Sequence, residues 1–159
     1  QWPHLAVRAA RSAGLPIVLA GPVLDPGYFR DEVRPLLGSD ATCAGHLGGS
    51  ALVDLVGSAS VLAVSPVWDE PFGLVAAEAL SCGTPVAAFG RGGLTEIVSP
   101  DVGRLADVDD VDALAAAIVD ARRLDRRAAR DHAVRRLGLD AMVGQYERVY
   151  DQSTARAAA

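Results

Sequence analysis

The feature that most constrains this chain is the alternation of short, continuous apolar runs with stretches of helical periodicity. Pro16-Ile17-Val18-Leu19-Ala20, Val61-Leu62-Ala63-Val64 and Pro85-Val86-Ala87-Ala88-Phe89 are apolar throughout, not at every second position. A strand of that kind is covered on both faces, as in parallel sheets. Helical patterns separate the runs, so the expected fold class is α/β, a Rossmann-like parallel sheet with helices on both faces. The predicted order begins with a helix over 3–13, stopped by Gly14. Asp25-Pro26 then supplies a cap and a first-turn proline for a helix running toward Arg34. A short strand over 42–44 follows, then a helix capped by Ser50 and ending near Ser58. Helices are expected over 73–81, closed by Gly83, and over 94–98. A weak strand at 103–106 precedes helices over 111–124, 126–136 and 140–150. Residues 153–159 read as a frayed tail, leaving one domain over 1–152. A doubly wound unit normally opens on a strand. This chain opens on a helix, so a first strand is expected upstream.

With 159 residues, half of them apolar, and charges of both signs interspersed, the chain can bury one core of ordinary size. The net charge of −5 and the lack of a long basic run exclude nucleic acid as the expected partner. No stretch approaches the ~20 apolar residues that span a bilayer. Cys43 and Cys82 lie in no CxxC or metal-spaced cluster. They read as small buried hydrophobes in a reducing compartment, and a cytoplasmic location is expected. All basic residues are arginines; lysine is absent.

The chemistry concentrates in Ser65-Pro66-Val67-Trp68-Asp69-Glu70-Pro71-Phe72-Gly73-Leu74-Val75-Ala76-Ala77-Glu78 and the residues after it. This is a polar loop carrying acids, set between a buried strand and an apolar helix. In open α/β sheets ligands sit beyond the carboxyl ends of the strands, where such a loop lies. The N–H groups of Gly73, Leu74 and Val75 would open the helix and present partial positive charge, a cradle for a diphosphate. A glycine at 73 would let the backbone approach a ligand. Glu78 lies four residues past Leu74, about 6 Å along the axis, and helical side chains lean back toward the N-terminus. Its carboxylate can accept from both hydroxyls of a ribose diol, while Glu70 can accept from hydroxyls of a transferred sugar.

Glu70 and Glu78 within Asp-Glu-Pro-Phe-Gly-Leu-Val-Ala-Ala-Glu-Ala resemble the paired-glutamate motif of GT-B-fold retaining glycosyltransferases of family 4. The resemblance continues through Ser81-Cys82-Gly83-Thr84-Pro85-Val86 and the glycine loop Arg91-Gly92-Gly93-Leu94-Thr95-Glu96-Ile97-Val98. It extends back to Pro3-His4-Leu5-Ala6 and Val18-Leu19-Ala20-Gly21, covering nearly the whole chain. It implies the donor-binding half of a transferase that moves a sugar from a nucleoside diphosphate sugar, of UDP or GDP type, to a hydroxyl acceptor with retention. In that likeness Glu70 is the catalytic residue, holding the donor sugar and supporting charge at its anomeric carbon. Phe72, Gly73, Leu74 and Val75 contact sugar and diphosphate, Glu78 binds the ribose, and Gly21 lies near the phosphates. Cys43-Ala44-Gly45-His46-Leu47 resembles the base-binding loop, acting through backbone groups, Ala44 among them, and the Leu47 side chain. The resemblance further implies no metal and no cofactor beyond the donor. It implies an N-terminal GT-B domain that supplies the acceptor pocket and through which alone a peripheral membrane association would arise. Family members carry an arginine and a lysine just upstream of Pro3. Gln1 stands at the lysine's place, and Arg91 is the nearest candidate to replace their charge. Alone, the chain is expected to be inactive.

Other features allow plainer readings. Trp68 and Phe72 fit packing over the loop as well as ligand contact, and Gly92 and Gly93 fit either a tight turn or ligand approach. His4, His46 and His132 read as surface residues. Arg122, Arg123, Arg126, Arg127 and Arg130 read as a solvated face complementing helix C-termini. Met142, Val143, Tyr146, Val149 and Tyr150 form an apolar stripe on the last helix. The alternative to an enzyme is a non-catalytic nucleotide-binding or scaffolding module of the same fold. A nicotinamide-dependent dehydrogenase needs a GxGxxG turn after a strand, and none occurs; a sugar-nucleotide epimerase is weakened by the two glutamates.

Overall fold

A computed structural model describes residues 2–157 of the chain. Helix α1 (Pro3–Ser12) leads into β1 (Ile17–Ala20), which pairs in parallel with β2 (Ala41–Gly45). Between them a helical stretch starts as α2 (Pro26–Tyr28), widens to a π turn over Phe29–Val33 and tightens to a 3-10 turn over Arg34–Leu36. Asp25 caps it by accepting from the Tyr28 N–H at 3.0 Å, as its position before Pro26 suggests. Helix α3 (Gly49–Ser58) follows β2. Its cap is Gly48, in an extended conformation, so Ser50 falls inside the helix and does not cap it.

Three further strands, β3 (Leu62–Val64), β4 (Val86–Phe89) and β5 (Gly103–Ala106), form a second parallel sheet with β4 in the middle. Helix α4 (Leu74–Ser81) connects β3 to β4, and α5 (Leu94–Ile97) lies between β4 and β5. Helices α6 (Val111–Ala121), α7 (Arg126–His132) and α8 (Leu139–Ala157) complete the chain, with a π turn over Ala133–Leu137 between the last two.

Both faces of β4 are covered, which explains its unbroken apolar sequence. Val86 and Ala88 face Ala76, Ala79 and Leu80 of α4, with Leu94 and Ala129 behind them. Ala87 and Phe89 face Ala9 of α1 and Leu114, Ile118 and Ala121 of α6. This is the expected Rossmann-like arrangement. Phe89, Leu80 and Leu114 are fully enclosed, and each such side chain contributes about 1.5–3 kcal/mol by leaving water.

Two expectations need correction here. The stretch from Ser153 is helical as far as Ala157, because nothing after Gly144 breaks the helix and the Ser153 hydroxyl donates back to Val149 O at 2.8 Å. Cys43 is exposed and Cys82 only half-buried; both are free thiols. Cys43 lies on the thinly covered β1–β2 sheet, which cannot bury it. On α8 the stripe of Met142, Val143, Tyr146, Val149 and Tyr150 is exposed. Among the described residues no helix is long and apolar enough to cross a membrane.

Candidate functional site

Parallel strands carry their C-terminal ends on one edge, and the loop from Ser65 to Gly73 leaves that edge after β3. Gly73 adopts φ 91° and ψ 53°, the left-handed conformation. It caps α4 and is not its first residue, since the Ala76 N–H donates to its carbonyl at 3.0 Å. The helical ladder thus leaves the Leu74 and Val75 amides without a partner inside α4. A Cβ at position 73 would come within 2.7 Å of Leu94 Cδ2. The left-handed backbone and α5 packed behind it thus both favour glycine at this position. Helix α4 buries Ala76, Ala79 and Leu80, whereas Leu74 and Glu78, one turn apart, lie on its exposed stripe. That stripe directs the Glu78 side chain back toward the start of the helix.

Glu70 is half-buried in the loop. Its carbonyl accepts from the Gly93 N–H at 2.6 Å. Gly92 has φ 57°, and a Cβ there would lie 2.5 Å from the Glu70 nitrogen; one at Gly93 would lie 2.6 Å from Pro71 O. The loop after β4 is thus in backbone contact with the loop after β3, and both glycines answer to that contact. Arg91 Nε stands 3.9 Å from Asp69 Oδ1, a loose pair because the Asp69 side chain is 89% exposed. Trp68 and Phe72 are 56% and 43% exposed, so neither closes the core over the loop. Leu94 and Ile97 already fill the space against Gly73.

The remaining sequence-selected positions belong to the other sheet. The Gly21 N–H donates to Gly45 O at 2.8 Å, tying the loop after β1 to the end of β2. Ala44 is exposed within β2 itself, not in the loop beyond it, and Leu47 is half-buried there beside exposed His46. The structure therefore gathers Glu70, Phe72, Gly73, Leu74, Val75, Glu78 and Arg91 around the start of α4. Gly21, Ala44 and Leu47 form a separate group at the ends of β1 and β2. The expectation for Gln1 lies outside the described residues.

Two histidines read as surface residues are half-buried instead. His4 Nδ1 and the Tyr28 hydroxyl share a hydrogen bond of 2.6 Å, and the Trp2 ring lies 5.8 Å from the His4 ring. Burial holds His4 below its usual 6.5; Arg8 adds to the effect and Glu32 opposes it. His132 on α7 is also lowered, chiefly by burial, and its Nε2 is enclosed without a partner. The only local signal at His4 and Tyr28 is that each stands in the first turn of a proline-led helix; nothing in sequence pairs them.

The arginine-rich segment does complement helix ends. Arg126 donates to Gly57 O at 2.5 Å, Ala59 O at 2.6 Å and Thr84 Oγ1 at 3.1 Å. The buried Thr84 hydroxyl in turn donates to Val56 O at 2.7 Å. Arg130 donates to Ser81 O. The C-termini of α3 and α4 are pinned by α7, which fixes the helix that carries Glu78. Among the described residues no three His, Cys, Asp or Glu side chains converge as a metal site.

The sequence profile described as "Glycosyl transferases group 1" matches residues 28–133, which include both glutamates and the glycine loop. The chain belongs to this family. It is 45% identical over 111 residues to a D-inositol 3-phosphate glycosyltransferase of Xylanimonas cellulosilytica, covering 66% of this chain and 26% of that protein. It superposes with a TM-score of 0.80 and 32% identity on AviGT4, a glycosyltransferase involved in avilamycin A biosynthesis, covering 96% of this chain and 48% of that one. With Anabaena Alr3699/HepE, solved with UDP and glucose, the TM-score is 0.71 at 22% identity, covering 95% of this chain and 45% of the other. The chain thus spans about a quarter of that curated relative's length and just under half of each solved chain. The family's GT-B-like fold agrees with the parallel sheets and two-sided helical cover found here.

Proposed function

We propose that this chain is the donor-binding half of a retaining glycosyltransferase of family 4 that acts in the cytoplasm. The observation that carries the reading is the start of α4, where the Leu74 and Val75 amides have no partner inside the helix, half-buried Glu70 stands in the loop before them and exposed Glu78 lies one turn after Leu74. A helix start favours anions. A bare phosphate gains nothing from two acids beside it, whereas a diphosphate joining ribose to sugar places hydroxyls where the acids can accept. Glu78 takes the ribose diol and Glu70 the donor sugar. Phe72 and Gly73 line the sugar side, Arg91 adds positive charge, and Gly21, Ala44 and Leu47 receive the nucleoside.

In the reaction the bond from the anomeric carbon to the diphosphate oxygen breaks. The acceptor hydroxyl bonds to the same carbon on the same face, and its proton passes to the departing diphosphate. The Glu70 carboxylate lowers the energy of the positive charge that develops at the carbon. No metal takes part: the α4 amides and an arginine balance the leaving charge. An N-terminal domain supplies the acceptor pocket and any peripheral membrane contact. The named relatives are transferases, which favours this reading over a scaffolding role.

Calorimetry with UDP, GDP and ADP and their glucose or mannose derivatives tests the assignment. Glu78→Ala is expected to weaken binding of free nucleotide and nucleotide sugar alike, about tenfold or more. Glu70→Ala is expected to remove only the gain that the sugar provides. Equal affinities for wild type and both variants would discard the site. The isolated chain is expected to bind without catalysing transfer, and robust turnover by it would contradict the two-domain reading.

A further inference from the structure

The arginines of this chain differ in what they touch. Arg104, Arg126 and Arg130 donate to backbone carbonyls, and Arg11 and Arg30 pair with Asp40 and Asp31. Arg135, Arg136 and Arg148 have neither kind of partner among the described residues, yet all three line one cleft of about 410 Å³. The π turn over Ala133–Leu137 supplies two of them. A face of α8 supplies the third, with Asp140, Gly144 and Arg148 at four-residue intervals.

Local structure turns these groups toward the cleft. The Met142 N–H donates to Gly138 O at 3.0 Å, so the amides of Leu139, Asp140 and Ala141 have no partner inside α8. Helical side chains lean toward the helix start, and Arg148 follows the rule: its Nη1 lies 3.7 Å from where a Cβ at Gly144 would stand. The bare glycine leaves the floor of the cleft open, and the Arg148 side chain folds back along it. Gln145 adds a side-chain amide that can donate. Against these donors the lining holds a single carboxylate, Asp140. Three positive charges against one negative leave a surplus of two, in a chain whose net charge is −5. The surplus is felt inside the fold. Burial is the main reason that His132 titrates below 6.5, the Ile97 backbone opposes it, and Arg136 and Arg135 lower it further.

We propose that this cleft binds a phosphomonoester dianion, carried on a soluble compound or on a lipid headgroup. Guanidinium groups meet phosphate oxygens as planar forks. A carboxylate brings one charge and two oxygens, too few for three arginines. A phosphomonoester brings two charges and three terminal oxygens, one for each fork. The free amides and positive end of α8 add to the attraction, and Asp140 subtracts from it. No lining residue belongs to the group around the start of α4, so the assignment does not rest on donor binding.

Two measurements test the site and separate the two carriers. One is calorimetric titration of the 159-residue chain with glycerol 3-phosphate. The other is co-sedimentation with vesicles of equimolar phosphatidylcholine and phosphatidic acid, beside phosphatidylcholine alone. Binding is expected to weaken about tenfold in Arg136→Gln and in Arg148→Gln, to vanish in the variant carrying both, and to strengthen in Asp140→Asn. Arg123→Gln, an exposed arginine outside the cleft, is expected to bind as wild type does. This pattern with glycerol 3-phosphate assigns a soluble ligand, and the same pattern confined to phosphatidic acid vesicles assigns a headgroup. Absence of binding in both measurements overturns the proposal. So does binding that the double variant retains, or that Arg123→Gln weakens equally, since either would mean diffuse attraction or another site. The substituted side chains are exposed, so melting midpoints are expected to stay unchanged, which confines any loss to the cleft. No nucleotide is present, so the outcome is separate from that of the donor site.

Discussion

Strands β1 and β4 carry comparably apolar sequences, Ile-Val-Leu-Ala and Val-Ala-Ala-Phe. In the structure β4 is fully enclosed, while β1 alternates between half-buried and exposed. The difference lies in their neighbours. β4 has a strand on either side and helices on both faces; among the described residues β1 has one strand partner and thinner cover. Apolar patterning selects the extended conformation and the parallel class, whereas burial is decided by elements elsewhere in the chain. The three-stranded sheet also holds the loop of Glu70 and the helix of Glu78, and the two-stranded sheet holds Gly21, Ala44 and Leu47.

The comparison breaks most visibly in the cores. Leu80→Ala, beneath β4, is expected to cost about 2–5 kcal/mol. Val18→Ala on β1 is expected to cost about 0.5 kcal/mol or less. Urea denaturation of the two variants measures both, and equal losses would mean that the two sheets are equally packed.

Next in size is a contrast between loops. Gly92→Ala drives a Cβ into the Glu70 backbone from a left-handed conformation and is expected to cost about 2–3 kcal/mol. The variant is also expected to lose donor affinity as Glu70 shifts. Gly48→Ala, after β2, meets nothing within 4 Å and is expected to change neither property. Calorimetric titration beside thermal denaturation separates the two effects.

A smaller contrast concerns arginines. Arg126→Ala leaves three acceptors around the ends of α3 and α4 without their donor, and a loss of about 1.5 kcal/mol is expected. Arg11 pairs with Asp40 at 2.7 Å in solvent beside β1 and β2, and Arg11→Ala is expected to change stability little. Chemical denaturation resolves the pair.

The smallest effect is a pH dependence shared by both parts. His4 and His132 titrate below 6.5 in the folded chain, chiefly through burial. The unfolded chain therefore binds protons first as pH falls. Stability is full above about pH 6.5 and declines between that value and the lowered folded values. Melting midpoints measured from pH 7.5 to 5 are expected to show a shallower slope for His132→Gln and His4→Gln.

Much of this molecule was legible because its signals are local. Asp25 before Pro26 capped a helix as read, and the 103–106 strand has the expected bounds. Ser50 misled, because a glycine two residues earlier is already extended and sets the start of α3. The π turns over Phe29–Val33 and Ala133–Leu137 leave no mark in the apolar spacing. At the site, the start of α4 was legible to within one residue, and the placement of Glu78 one turn past Leu74 followed from spacing. That the missing Cβ of Gly73 faces Leu94 did not, since it depends on a packing contact across the fold. The bond between His4 and Tyr28 was hidden for the same reason, with 24 positions separating them.

The bond from the Gly93 amide to the Glu70 carbonyl makes two connections, encoded some twenty positions apart, behave as one mechanical part. Neither can lengthen or change its path without dragging the other. Redesigning the acidic loop alone would leave that loop clashing with its brace, so both connections would have to be exchanged as a matched set.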